Sequence, residues 1–201
     1  MTLPNPIFIV AMGVSGAGKS TLGAALAKAI QVPYVDGDDL HPPENVAKMA
    51  NGIPLDDQDR APWLRKIRQE GVEACKQHED AVEGDAGKQR GLVIGCSALK
   101  RSYRDVLRGQ EDEDNTIQDD VHPKHDPFQF PTRFVFISGT RDELFKRMEA
   151  RKGHYMKAAM LESQLATLET PDPSTEEGIV VVDLLDTTET QVERALEGLK
   201  M

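Results

Sequence analysis

The chain has 201 residues, of which 39% are hydrophobic, enough to bury one substantial core and too few to demand a second, so a single domain spanning 1–201 is expected. A formal net charge of −10 opposes long-range attraction to nucleic acid or anionic membrane, which excludes both as main partners and leaves the capture of any small anion to local basic residues. Two cysteines in apolar contexts, Cys75 and Cys96, an N-terminus without a basic or long apolar stretch and the lack of any membrane-length run predict a cytoplasmic protein with buried thiols.

The first apolar run, Ile7 to Met12, reads as a strand, and it leads directly into Gly13-Val14-Ser15-Gly16-Ala17-Gly18-Lys19-Ser20-Thr21. This is a complete Gly-x-x-x-x-Gly-Lys-Ser/Thr loop, followed by a helical run from Leu22 to Ile30. Glycines allow such a loop to curl until successive N–H groups converge on phosphate oxygens, at the positive end of the helix that follows. Lys19 is placed to bridge the β- and γ-phosphates, and Ser20 to help hold Mg²⁺. Nucleoside triphosphate binding is the first expectation.

A second strand, Val32 to Val35, ends in Asp36-Gly37-Asp38-Asp39. Carboxylates two residues apart at a strand end reach one crevice, so Asp36 is assigned to the Mg²⁺ region and Asp38 to the attacking hydroxyl. An ordinary acidic turn is the alternative, with Asp39 capping the next helix. From about Ala61 to His78 a helical stripe of Leu64, Ile67, Gly71 and Cys75 faces the core, and Arg60 and Trp63 at its opening offer a guanidinium beside an aromatic wall. Trp63 reads equally well as a core anchor. The third strand, Leu92 to Ile94, leads through Cys96 and Ser97 to Lys100, Arg101 and Arg104, with Lys100 and Arg104 one helical turn apart and so expected on one face toward an acceptor.

Further strands are expected at Phe134 to Ile137 and Ile179 to Leu185, and a final helix carries Val192, Ala195, Leu196 and Leu199 on one side. Strands alternating with helices predict a parallel sheet whose ligands gather at the carboxyl ends of its strands. The stretches 79–90 and 110–131, polar and in the second case strongly acidic, read as solvated loops, and the acids there with His122 and His125 fit no metal-ligand spacing. Between them and the last strand, Arg147 to Lys157 is a basic segment hinged at Gly153, suited to a lid at about 151–157. There Arg151 or Lys152 is placed to stabilise the transferred phosphoryl group, Arg147 to stack on the base and His154 to bond the acceptor.

These blocks together resemble one family. The loop with Asp-Gly-Asp-Asp-Leu-His-Pro at 36–42, Asn45 to Leu55, Asp57-Gln58-Asp59-Arg60-Ala61-Pro62-Trp63-Leu64, Cys96-Ser97-Ala98-Leu99-Lys100 and Arg151-Lys152-Gly153-His154 closely resemble gluconokinases of the shikimate-kinase-like P-loop type, nearly end to end. The resemblance implies ATP-dependent, Mg²⁺-assisted phosphorylation of D-gluconate at its 6-hydroxyl, giving 6-phosphogluconate for the pentose phosphate route. It implies a three-layer α/β fold with a five-stranded parallel sheet and a mobile lid, and commonly a homodimer. Residues 13–21 then bind the ATP phosphates, with Arg147 and Arg151 on the nucleotide side, Lys19, Asp38 and Arg151 in catalysis, and Ser20 and Asp36 at the metal. His41, Lys48, Arg60, Ser97, Lys100, Arg104 and His154, with Asp38, line the gluconate pocket. The rivals are a shikimate or adenylylsulfate kinase of the same fold, or a P-loop switch that binds nucleotide without transferring phosphate.

Overall fold

In the computed structural model, residues 6–76, 90–110, 130–150 and 154–201 are described. Five parallel strands form one sheet in the order β2-β3-β1-β4-β5: β1 (Ile7–Met12), β2 (Tyr34–Asp36), β3 (Gly91–Cys96), β4 (Thr132–Ser138) and β5 (Ile179–Asp183). β1 is central, pairing Ile9 with Val93 on one side and with Arg133 on the other. Parallel strands covered on both faces need apolar side chains on both, which is why Phe8 to Met12 form an uninterrupted run with no exposed surface.

Seven helices among the described residues complete the layers: α1 (Lys19–Ile30), α2 (Pro43–Ala50), α3 (Asp57–Lys76), α4 (Arg101–Arg108), α5 (Arg141–Glu149), α6 (His154–Thr167) and α7 (Thr188–Leu199). α1 packs with α7, α3 with α4 and α5 with α6. The expected core stripe of α3 is present, since Leu64, Ile67, Gly71 and Cys75 are all buried. The sheet is thus sandwiched in a three-layer α/β P-loop fold, as the alternating pattern predicts.

Two boundaries move for identifiable reasons. β2 begins at Tyr34 and not at Val32, because Val32 donates its N–H to Ala27 O at 3.0 Å and so still closes the end of α1. α3 begins four residues before Ala61, because Asp56 and Asp59 cap it reciprocally: Asp59 N–H donates to Asp56 Oδ1 at 2.8 Å and Asp56 N–H to Asp59 Oδ2 at 3.0 Å. Pro62 therefore lies inside the helix rather than in its first turn. Lacking an N–H, it leaves the Gln58 carbonyl without its usual helical donor.

Candidate active site

The phosphate loop joins the buried end of β1 to α1. Gly13, Gly16 and Gly18 have φ of 147°, 83° and 107°, values that side chains with a Cβ rarely adopt, and Gly18 is the N-cap of α1. This turn brings Lys19 back over the loop, where its Nζ donates to Val14 O at 3.3 Å. Burial lowers the Lys19 pKa, an effect that the nearby Asp38, Cys96 and Asp36 oppose. A cation short of water in an anion cradle is what a polyphosphate would satisfy. Arg147 on α5 donates Nη1 to Ala17 O at 3.3 Å and Nη2 to Leu184 O, so it braces the loop against the chain after β5.

Ser20, on the first turn of α1, donates its hydroxyl to Asp36 Oδ2 at 2.8 Å. The other oxygen of Asp36 accepts the Asp38 N–H at 3.1 Å, which caps the short 3₁₀ turn Gly37–Leu40. That turn lies against β3 so closely that a Cβ at Gly37 would meet Gly95 O at 2.2 Å. Asp38 is thereby held at the strand ends with its side chain exposed beside Lys19. A hydroxyl and a carboxylate in contact, next to a phosphate cradle, are the hard oxygen donors that suit Mg²⁺ carrying much of its own water. Asp39 is exposed and caps nothing, since Pro42 is the N-cap of α2.

The opposite wall is made of side chains. Trp63 is 2% exposed and donates its indole N–H to Gly37 O at 2.7 Å, so it is a core anchor that also fixes the Asp36–Asp38 turn. His41 stacks on it with ring centroids 4.1 Å apart. Burial lowers the His41 pKa, with Asp38 opposing and Arg60 adding to the shift, which favours the neutral ring. Arg60 is buried, with Nη1 donating to the Tyr103 hydroxyl at 3.3 Å, and that hydroxyl in turn donates to Asp57. Lys100 pairs with Asp57 at 2.7 Å and Lys48 with Asp59 at 2.5 Å. A cavity of about 500 Å³ opens here, lined by Leu55, Asp56, Asp57, Gln58, Arg60, Lys100 and Thr167.

Of the residues expected at the acceptor, Arg60 and Lys100 line this cavity, His41 lies beside Arg60 and Asp38, and Lys48 is tied to α3 through Asp59. Ser97 is half-buried just past the end of β3. Arg104 is a correction. It has no exposed surface, its Nε and Nη2 bind Glu176 at 2.7 and 2.5 Å, and its Nη1 is shared among the carbonyls of Ala98, Leu99 and Glu169. The guanidinium is thus engaged within the protein and has no surface to present to a substrate. Arg104 instead locks α4 to the segment before β5. Cys96 is buried and its thiol is pushed up to about 12 by that burial, against the minor pull of Ala98 N–H and Lys19, so it is no nucleophile. Arg151 and Lys152 lie outside the described residues, as do the side chain of His154 and the segment with His122 and His125.

Several residues at the site carry no motif signal. Asp57 reads in sequence only as an acid at a helix start, yet it organises Lys100 and Tyr103. Tyr103, Thr167 and Gln164, whose Oε1 accepts the Ser15 N–H at 2.6 Å, become visible only when α4 and α6 are brought to the loop.

A phosphate loop after the central strand of a β2-β3-β1-β4-β5 parallel sheet, beside a polar cavity, defines a P-loop kinase. A family model for shikimate kinase matches residues 15–197. A gluconokinase of Gluconobacter oxydans is 45% identical over 167 residues, covering 83% of this chain and 78% of that protein. A probable gluconokinase of Schizosaccharomyces pombe is 37% identical over 194 residues, 96% of this chain and 88% of that one. The crystal structure of a gluconokinase from Sinorhizobium meliloti superimposes with a TM-score of 0.72 at 40% identity, covering 98% of this chain and 93% of that one. The chain belongs to the gluconokinases of the shikimate-kinase-like family of P-loop kinases.

Proposed function

We propose that the protein transfers the γ-phosphoryl group of ATP to the 6-hydroxyl of D-gluconate. The observation that carries this reading is the placement of Asp38 between a phosphate cradle built around Lys19 and a polar cavity lined by Arg60 and Lys100, in a chain whose relatives are gluconokinases. The loop amides and Lys19 hold the β- and γ-phosphates and spread the charge that grows on them. Ser20 and Asp36 hold Mg²⁺, which neutralises phosphate charge when bound. Arg60 and Lys100 orient the carboxylate and hydroxyls of the sugar acid, and the Gln58 carbonyl, freed by Pro62, accepts a further hydroxyl hydrogen. Asp38 accepts the hydrogen bond of the 6-hydroxyl and takes its proton as the oxygen bonds to the γ-phosphorus. The bond from that phosphorus to the β–γ bridging oxygen breaks, and ADP leaves with its electrons.

Arg151, with Lys152, completes the nucleotide side from a lid at about 151–157, and His154 reaches the acceptor from the same segment. The same reading takes the protein as one domain that works in the cytoplasm as a homodimer. Shikimate and adenylylsulfate are the rival acceptors, and a nucleotide switch the rival class; membership among the gluconokinases speaks against all three. The test is ADP release with ATP and Mg²⁺ in the presence of D-gluconate, shikimate, adenylylsulfate or no acceptor. Turnover with gluconate alone is expected. Turnover with another acceptor alone would overturn the pocket assignment, and ATP binding without any turnover would favour the switch.

A further inference from the structure

One helix touches both halves of the site. In the last turn of α6, Gln164 Oε1 accepts the N–H of Ser15, a residue at the heart of the phosphate loop, at 2.6 Å. Three residues later, and so on the same helical side, Thr167 lines the acceptor cavity with Lys100 and Arg60. Immediately beyond the helix, Glu169 N–H donates to Leu99 O at 2.9 Å and the Glu169 carboxylate accepts the Arg101 N–H at 2.7 Å. The carbonyl of Glu169 also accepts from the buried Arg104 at 3.1 Å. The segment just beyond α6 is therefore fastened on both sides of Lys100, whereas the last turn of the helix is fastened to the phosphate loop by one side-chain bond.

The two attachments differ in strength. Three hydrogen bonds, one of them from the buried Arg104 guanidinium, hold the acceptor side. Among the described residues Gln164 supplies the hydrogen bond from α6 to the loop, and its partner is a backbone donor whose surroundings change when a polyanion enters the cradle. Gln164 and Thr167 are one helical turn apart, so a shift of the loop by a fraction of an ångström has only that turn to cross before it reaches the cavity wall.

We propose that Gln164 is a positioning residue that couples the two sites, setting the acceptor cavity through α6 according to how the phosphate loop is filled. This rests on the reading that the loop takes ATP and the cavity D-gluconate. The amide group suits that role. Its oxygen satisfies Ser15 N–H, and its other end is a neutral donor at the rim of an anion site, where a carboxylate would repel phosphate.

The test uses the full chain. The dissociation constant of D-gluconate is measured by calorimetry with and without Mg²⁺ and a non-hydrolysable ATP analogue, for wild type, Gln164→Ala and Gln164→Glu, beside kcat, each KM and the melting temperature. In wild type the analogue tightens gluconate by on the order of tenfold, and gluconate tightens the analogue by the same factor, as linkage requires. Gln164→Ala brings this factor close to one and lowers kcat while binding of gluconate alone is kept. Gln164→Glu retains the acceptor for Ser15 N–H, and with it the fold and the coupling, but weakens the analogue because its charge faces phosphate. Wild-type coupling and kcat in folded Gln164→Ala would overturn the inference, as would unaltered analogue affinity in Gln164→Glu. Wild-type turnover with gluconate separates the two claims: its absence defeats the functional reading, whereas its presence with coupling unchanged in Gln164→Ala defeats only the role of Gln164.

Discussion

The nucleotide cradle and the acceptor wall are built on different principles. The cradle is one contiguous loop whose ligands are mainly backbone N–H groups, fixed by glycine geometry at the end of the central strand. The acceptor wall is a set of side chains from α2, α3, the β3–α4 connection and α6, and two of its cations already have acidic partners from α3: Asp57 for Lys100 and Asp59 for Lys48. A backbone cradle is set by local geometry and serves any nucleoside triphosphate. A wall of paired side chains is set by tertiary packing, and selects a ligand that can share its ion pairs.

The sharpest way to break this contrast lies in the cradle. Lys19→Ala is expected to lower turnover by about 10³-fold or more and to weaken ATP binding. Because burial disfavours the Lys19 charge in the folded chain, the melting temperature of the variant should not fall. Steady-state assays and thermal melting check both. Normal turnover in the folded variant would contradict the loop assignment.

Next comes the support behind the wall. Arg104→Met leaves Glu176 buried without its main partner, and the expected loss is about 3–5 kcal/mol in denaturant unfolding. The fraction that remains folded should keep its KM for gluconate, because Arg104 does not face the cavity. A large rise in that KM at unchanged stability would restore Arg104 to the substrate.

Within the wall, Lys100→Ala should raise the KM for gluconate by about tenfold while kcat at saturation changes less. Asp57→Asn removes the charge that competes for Lys100 but keeps an amide oxygen able to accept from the Tyr103 hydroxyl, so a smaller change in KM is expected. Initial rates across a gluconate series distinguish the two.

The smallest effect concerns pH. Burial alone would raise the Glu176 carboxyl, but the Arg104 hydrogen bonds and charge, aided by Arg108, hold it below its ordinary value. A depressed acid adds stability above its unfolded pKa of about 4.3 and loses it as pH falls through the lower folded value. The gap in melting temperature between wild type and Glu176→Gln should therefore be full at neutral pH and close below about pH 4. A gap that widens in acid would reverse the assigned sign.

The same contrast explains how much could be read in advance. The loop, Ser20, Asp36 and Asp38 are legible because their chemistry is written in consecutive residues at strand ends. The strands are legible because a sheet covered on both faces needs continuous apolar runs. Arg104 was misplaced because spacing says which residues share a helix face, not where that face points. Lys100 is moreover the extended N-cap of α4 and not part of it, so no shared face exists. α4 turns Tyr103, Arg104 and Leu107 inward and leaves Arg101 outside. Asp57 and Gln164 were illegible for a related reason: a helix-start acid and a glutamine in a last helical turn acquire meaning only through partners 43 and 149 residues away.

Asp38 stands where the two regions meet, so the split between kcat and KM in Asp38→Asn tests the account most directly. The account predicts that kcat falls by orders of magnitude while the KM for ATP stays close to wild type, because the hydroxyl loses its proton acceptor and the cradle is untouched. Collapse of ATP affinity with the saturated rate preserved would contradict it, and would assign Asp38 to the metal and not to the acceptor.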